Sequence, residues 1–246
     1  MIGSRVLVTA SRPGAVCRLL EERGAVPVAV PTIALRPLDG RALDGWLEQL
    51  ESYDWVVVTS PNGARLVAER LIALGRPAPT GPKWAVVGAR TREVLETAGI
   101  GVSAEPPAQV AAGIPDAMGE VAGARVLLLR AAAASRDLPC ALAARGARVD
   151  DVVAYEVVEG PESSRDSLER ALADGLNAAV FTSGSTVRGF ARLIGDPAHA
   201  LAGARVVCIG PVTARVAREA GFGDVQVAAG RTPAAIVAAL ANGADG

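Results

Sequence analysis
One histidine, His199, stands in 246 residues, beside three cysteines, two tyrosines and three phenylalanines. Most catalytic zinc sites draw on two or three imidazoles, so they are excluded, and a Ser-His-Asp triad has no well-placed base. His199 lies in the polar loop GDPAHALAG and reads as solvated. Cys17, Cys140 and Cys208 are odd in number, far apart, and set in apolar segments. That pattern excludes a disulfide framework and predicts small buried hydrophobes in a reducing compartment. Neither sign of charge is in surplus, with 25 Lys plus Arg against 26 Asp plus Glu. Nucleic acid is excluded as the main partner, because phosphate contacts need a basic surplus. Apolar runs are broken by Arg, Asp or Glu well short of the roughly 20 residues that cross a bilayer. The opening MIGSRVLVTA carries no long apolar stretch of a secretory signal, so the reading is a cytoplasmic protein.

What remains is abundant and aliphatic. Half the residues are hydrophobic and only 3% aromatic, and the mean hydropathy is +0.31. The chain is too apolar for disorder, and its surplus predicts buried sheets of Val, Leu and Ala. Short apolar runs alternate with amphipathic segments. Strands are expected at 5–10, 25–30, 55–60, 83–88, 101–103, 125–130, 147–158, 178–183, 205–210 and 224–228. Helices are expected at 13–23, 39–51, 61–74, 90–98, 108–118, 135–145, 163–173, 185–194, 212–220 and 232–241. Continuously apolar strands belong in parallel sheets covered on both faces, and strand–helix alternation gives right-handed crossover units.

The chain also repeats itself with a circular shift. VVVTSPNGA sets against AVFTSGSTV, offset 183 − 60 = 123, and Thr91 against Thr213, offset 213 − 91 = 122. RVLLLR sets against RVLVTA at 125 − 5 = 120, and Arg145-Gly146-Ala147 against Arg23-Gly24-Ala25 at 122. An offset near half the length means two copies of one α/β unit. Two arrangements satisfy it. Either the lobes follow one another along the chain, or the N-terminal piece packs with the last third around an inserted lobe. In the second, PTIALRPL and AYEVVEGP cross between lobes as extended segments.

Chemistry is expected at the strand-to-helix turns. Ser60 and Asn62 follow one strand, and Ser183 and Ser185 follow its repeat. A hydroxyl there caps a helix, and the same turn offers free amides and a dipole end to an anion. The second turn type carries Gly88 with Thr91, and Gly210 with Thr213. Glycine there lets the backbone approach a ligand closely. None of these turns has the glycines or lysine of a nucleotide loop. Arg12, Arg65, Arg90, Arg92, Arg130, Arg136, Arg188 and Arg215 gather at the same ends and predict a basic rim for a carboxylate-rich small molecule. Tyr155, in the crossing segment VVAYEVVEG, is a candidate proton donor as well as a packing residue.

The order and spacing of VLVTASRPG, YDWVVVTSPNGA, WAVVGARTREVLETAGI, GARVDDVVAYE, AAVFTSGSTVRGF and VVCIGPVTARVAREAGF resemble the uroporphyrinogen-III synthase family over nearly the whole chain. The resemblance implies α/β lobes with parallel sheets flanked by helices, the first discontinuous, joined by a two-strand hinge. The expected bounds are 1–33 plus 160–246 for lobe 1, 38–153 for lobe 2, and 34–37 and 154–159 for the linkers. It further implies closure of hydroxymethylbilane to uroporphyrinogen III in a cleft between the lobes, without metal or organic cofactor, by a monomer. Tyr155 matches the family's tyrosine and ranks first as proton donor, while Thr91, Ser183 and Thr213 match family positions lining the cleft, with Ser60 a weaker match. Arg12, Ser60, Asn62, Gly88, Thr91, Arg130, Ser183, Ser185, Gly210 and Thr213 are the expected substrate contacts. The alternative is a non-catalytic small-molecule-binding or regulatory protein on the same scaffold.

Overall fold
The computed structural model describes residues 1–38 and 40–241. In chain order the elements are β1 (Arg5–Val8), α1 (Gly14–Glu21), β2 (Val26–Ala29), β3 (Ile33–Pro37), α2 (Gly40–Glu48), β4 (Trp55–Val58), α3 (Pro61–Ala73), β5 (Lys83–Val86) and α4 (Ala89–Thr97). Then follow α5 (Ile114–Met118), β6 (Arg125–Ala131), α6 (Asp137–Ala144), β7 (Arg148–Glu159), α7 (Arg165–Ala173), β8 (Ala178–Phe181) and α8 (Gly184–Ile194). The last are α9 (Pro197–Ala200), β9 (Arg205–Cys208), α10 (Pro211–Glu219), β10 (Val225–Val227) and α11 (Pro233–Ala241).

The chain divides into two units, Met1–Ala34 with Val158–Gly246, and Leu35–Val157. Each holds one five-stranded sheet, ordered β10-β9-β8-β1-β2 in the first and β3-β7-β6-β4-β5 in the second. All of these strands pair in parallel except β3 on β7. There the backbone bonds Leu38 to Ala154 and Gly160 to Thr32 step in opposite directions, so the pair is antiparallel. Both segments that connect the units are therefore strands of one ladder. With its strands renumbered from β1, the first sheet has the order 2-1-3-4-5, a doubly wound arrangement. The repeat offset maps β8, β9, β1 and β2 onto β4, β5, β6 and β7, so four strands keep the same spatial order from a circularly shifted chain, while the fifth, β10 or β3, lies on opposite edges.

Period-two alternation sends each strand's side chains to two cores. In the second unit Val56, Val58, Leu127 and Leu129 meet α2, α3 and α4 through Leu47, Val67, Leu71 and Leu95. The intervening Val57, Val126 and Leu128 meet α5 and α6 through Ile114, Met118, Leu138 and Leu142. In the first unit α7, α8 and α10 cover one face, and α1 and α11 the other. The only three phenylalanines of the chain, Phe181, Phe190 and Phe222, pack against one another with centroids 5.6–6.0 Å apart. Fully burying one such ring stabilises by about 1.5–3 kcal/mol, so three suffice where aromatics are scarce.

Several expectations need correction. The strand at 101–103 is reduced to one bridge, Ala104 to Ala85. It falls at the place of β10 in the repeat. The helix at 108–118 is a 3-10 turn, Ala111–Gly113, followed by α5. Gln109 has φ 50°, outside helical space, and Pro115 lacks the N–H that would bond back to Ala111. The helix at 39–51 is α2 plus a 3-10 turn, Leu50–Ser52, with residue 39 outside the described residues. His199 is exposed as expected, but it sits in the one-turn α9, where its N–H donates to the Asp196 cap at 3.1 Å. Cys140 is exposed and Cys17 half-buried, and only Cys208 is buried. In α6 the buried stripe runs through Leu138 and Leu142, and Cys140 lies two residues from each, on the outer side.

Candidate active site
The carboxyl ends of β4, β5, β8 and β9 each pass directly into a helix. Ser60 caps α3 in extended conformation, φ −145° and ψ 154°. Ser183 caps α8 at φ −166° and ψ 162°. Gly88 starts α4 at φ −165° and ψ 169°, and Gly210 starts α10 at φ −176° and ψ 172°. The two units thus repeat their turns in backbone angles as well as in letters. The serine turns are closed by their own hydroxyls. Ser60 Oγ accepts from Gly63 N–H at 3.0 Å. Ser183 Oγ accepts from Thr186 N–H, whose hydroxyl accepts from Ser183 N–H in return, and Ser185 Oγ lies 2.8 Å from Ser183 Oγ.

The Gly210 turn has open space beside it, whereas the Gln109 side chain stands over Gly88, its Oε1 3.1 Å from where a Cβ would lie. No side chain caps α4 or α10. Thr91 and Thr213 lie in the first turns, 3% and 5% exposed, and neither hydroxyl has a hydrogen-bond partner among the described residues. A hydroxyl without a protein partner on a buried residue is left to water or to a ligand, so each turn is a candidate contact by itself.

Tyr155 reaches its place through a β-bulge. Along β7, Val149 faces the α5–α6 core, while Val152 and Ala154 face the α2–α3–α4 core. Strict alternation would send Tyr155 back to the first side. The β6 pairing slips between Arg130 and Ala131, so that Arg130 opposes Val153 and Ala131 opposes Tyr155. That extra residue turns the phenol toward α3. Its hydroxyl then lies 2.5 Å from Ser60 Oγ. Gly63 leaves room for the ring, since a Cβ there would sit 3.4 Å from Tyr155 Cε1. Burial raises the phenol's pKa above its ordinary value, and the Ser60 bond lowers it only partly. Tyr155 therefore stays protonated at neutral pH, a donor and not a base.

Arg92, Arg130, Arg188 and Arg215 of the expected basic rim are paired with acids of this chain. Arg130, 7% exposed, spends its fork on Asp151, at 2.5 and 2.9 Å, and on the Ala131 and Ala134 carbonyls. A partner 21 residues away, brought opposite by strand register, occupies the guanidinium expected to meet substrate. Arg92 pairs with Glu105 and Glu96, Arg188 with Glu159, and Arg215 with Glu219. Arg65 donates to Asn62 Oδ1 at 3.3 Å. Arg12 is exposed and has a partner of its own. Arg90 and Arg136 are exposed and make no ion pair among the described residues. Beside Arg130 at the β4–β6 switch point lies a cavity of about 260 Å³, lined by Thr59, Leu128, Ser135 and Leu138 among others. Sequence reasoning missed it, because its walls come from four separate segments. Cys208 is ruled out as a nucleophile, since burial pushes its thiol to about 12. Among the described residues no cluster of His, Cys, Asp and Glu could hold a metal ion. No helix there is long and apolar enough to cross a membrane.

Two five-stranded sheets whose carboxyl edges carry glycine-led helix starts define a duplicated α/β scaffold. A family model described as uroporphyrinogen-III synthase HemD matches residues 15–238. The chain is 30% identical over 240 residues to the uroporphyrinogen-III synthase of Synechococcus elongatus, covering 93% of this chain and 90% of that one. A uroporphyrinogen-III synthase of Chlorobaculum parvum is 30% identical over 194 residues, covering 73% and 74%. Solved uroporphyrinogen III synthases share the fold. That of Helicobacter pylori has TM-score 0.61 at 17% identity, covering 98% of this chain and 99% of that one. A mutant of the Thermus thermophilus protein has TM-score 0.60 at 21%, covering 98% of each. The chain belongs to the uroporphyrinogen-III synthase family.

Proposed function
We propose that the sheet carboxyl edges of this chain hold the substrate through main-chain amides and hydroxyls more than through arginines. As a member of its family, the chain is a lyase that closes hydroxymethylbilane to uroporphyrinogen III, with loss of water and inversion of the terminal pyrrole ring. The observation that carries the site is the repeated occurrence, on buried Thr91 and Thr213, of a hydroxyl without a partner among the described residues at an uncapped helix start. A substrate with eight carboxylates supplies the acceptors these donors lack. Gly88 and Gly210 keep the approach free of a Cβ, and Ser60, Asn62, Ser183 and Ser185 border the neighbouring turns. Arg90 and Arg136 are the cations left to pair with carboxylates, and Arg12 stays a candidate on its exposed turn. The same reading has one chain act without nucleic acid.

The chemical task is selection between two closures. Holding a flexible tetrapyrrole so that inversion precedes closure is an effect of proximity and orientation. A proton donor has only to assist departure of hydroxide. The test is incubation with fresh hydroxymethylbilane, oxidation, and separation of isomers. Isomer III in excess, forming faster than in a protein-free control, is expected. Isomer I alone, at the control rate, overturns the reading and favours a non-catalytic binder.

A further inference from the structure
We propose that Ser60, not Tyr155, hands the proton to the substrate's departing hydroxyl, with Tyr155 resupplying Ser60 from behind. This rests on the reaction proposed above. The argument starts from counting donors. Ser60 Oγ accepts from Gly63 N–H whatever else happens. If Ser60 donated to Tyr155, the phenol proton would point into the core, because Tyr155 is 3% exposed and bonds to no other side chain among the described residues. An unsatisfied buried O–H is costly. The favoured arrangement therefore has Tyr155 donating to Ser60. Both Ser60 lone pairs are then filled and its own O–H is directed elsewhere. Ser60 is half-buried at the start of α3, so it is the member of the pair that a ligand can touch.

The two serine turns differ in what meets the capping hydroxyl. The offset of 122 puts Ile33 opposite Tyr155, since 155 − 122 = 33, and Ser183 bonds to Ser185 and Thr186 without any phenol. One copy has kept a plain cap, and the other has a bulge that delivers a phenol to the cap. A capping serine needs no such partner, and a proton relay does.

The protons balance. The C–O bond of the hydroxymethyl carbon breaks with its electron pair on oxygen. That oxygen takes the Ser60 proton and leaves as water, while Ser60 takes the Tyr155 proton. Final ring closure releases a proton from a pyrrole carbon, which returns to the phenolate. One proton enters and one leaves, with no oxidant or reductant.

The decisive comparison is Ser60→Asn, Ser60→Thr and Tyr155→Phe, assayed with hydroxymethylbilane beside the wild-type chain. Asn caps helices as well as Ser but carries no acidic hydroxyl. Ser60→Asn is expected to keep the wild-type thermal transition and KM while kcat falls about 100-fold. Ser60→Thr restores most of kcat. Tyr155→Phe gives a smaller fall in kcat with KM unchanged. If Asn destabilises the turn, Ser60→Gly serves, since Gly caps nearly as well. Full kcat in Ser60→Asn or Ser60→Gly, with a large loss in Tyr155→Phe, overturns the order and makes Tyr155 the direct donor. Normal kcat in all variants removes both. A wild-type chain yielding only isomer I rejects the reaction itself, which is a separate result.

Discussion

Replacing Thr91 by Val is expected to make the protein more stable and less active. The two side chains have nearly the same shape and similar helix propensity. In the folded chain Thr91 is buried as a residue and its hydroxyl has no hydrogen-bond partner among the described residues, so Val removes a partial desolvation cost and no contact. Mutational data put that cost at about 1–3 kcal/mol. The oxygen is not among the completely sealed, unpartnered atoms, where Trp84 Nε1 stands alone among the described residues. The lower end therefore applies, and about 1 kcal/mol corresponds to a melting rise of roughly 3 °C in a unit of this size. Activity should move the other way. A hydrogen bond to a carboxylate contributes about 1.5–3 kcal/mol, so kcat/KM should fall roughly 10- to 150-fold. Where the bond holds substrate and transition state alike, the loss appears in KM. Calorimetry and isomer-resolved kinetics on Thr91→Val and Thr213→Val give both numbers. A lower melting temperature with unchanged kinetics would refute the reasoning, because it would mean the hydroxyl serves the fold.

Removing only Asp151 leaves the Arg130 charge buried, so Asp151→Ala should destabilise by about 3–5 kcal/mol in urea unfolding, whereas the joint replacement Arg130→Met with Asp151→Leu should cost far less. The two tyrosines, both in the second unit, should set its alkaline limit. Tyr53 is held to about 12 by burial and by its bond to Asp150, and burial raises Tyr155 as well. Folded pKa values above the unfolded value mean stability that is complete below about pH 10 and drains away between there and pH 12. Phenolate absorbance should therefore rise together with loss of structure, and Tyr53→Phe should flatten the pH dependence. A phenolate signal preceding unfolding would sink this account.

The strands were legible in the sequence because both faces of each are buried, which forces unbroken aliphatic runs such as Trp55–Val58 and Ala178–Phe181. The twin turns were legible because the same backbone angles demand the same small residues. Three features were not. The β7 bulge leaves no mark in VVAYEVV, so the facing of Tyr155 and its bond to Ser60, 95 residues away, appear only in three dimensions. The loss of Arg130 to Asp151 depends on strand register, which the text of a sequence does not carry. The broken helix at 108–118 was written in Pro115, but the left-handed Gln109 was not. Composition told where the chemistry gathers, and register decided which side chains were free to do it.

The split first unit has a consequence for biosynthesis. Val6 must pair with Ala178, its central neighbour, 172 positions downstream. At roughly 5–20 residues per second, the ribosome needs on the order of 10–30 s to deliver that neighbour. The inserted unit, continuous from Leu35 to Val157, has all its strands in hand earlier. The nascent chain therefore matures from its middle outward, with the aliphatic β1 and β2 waiting in a state that chaperones would shield.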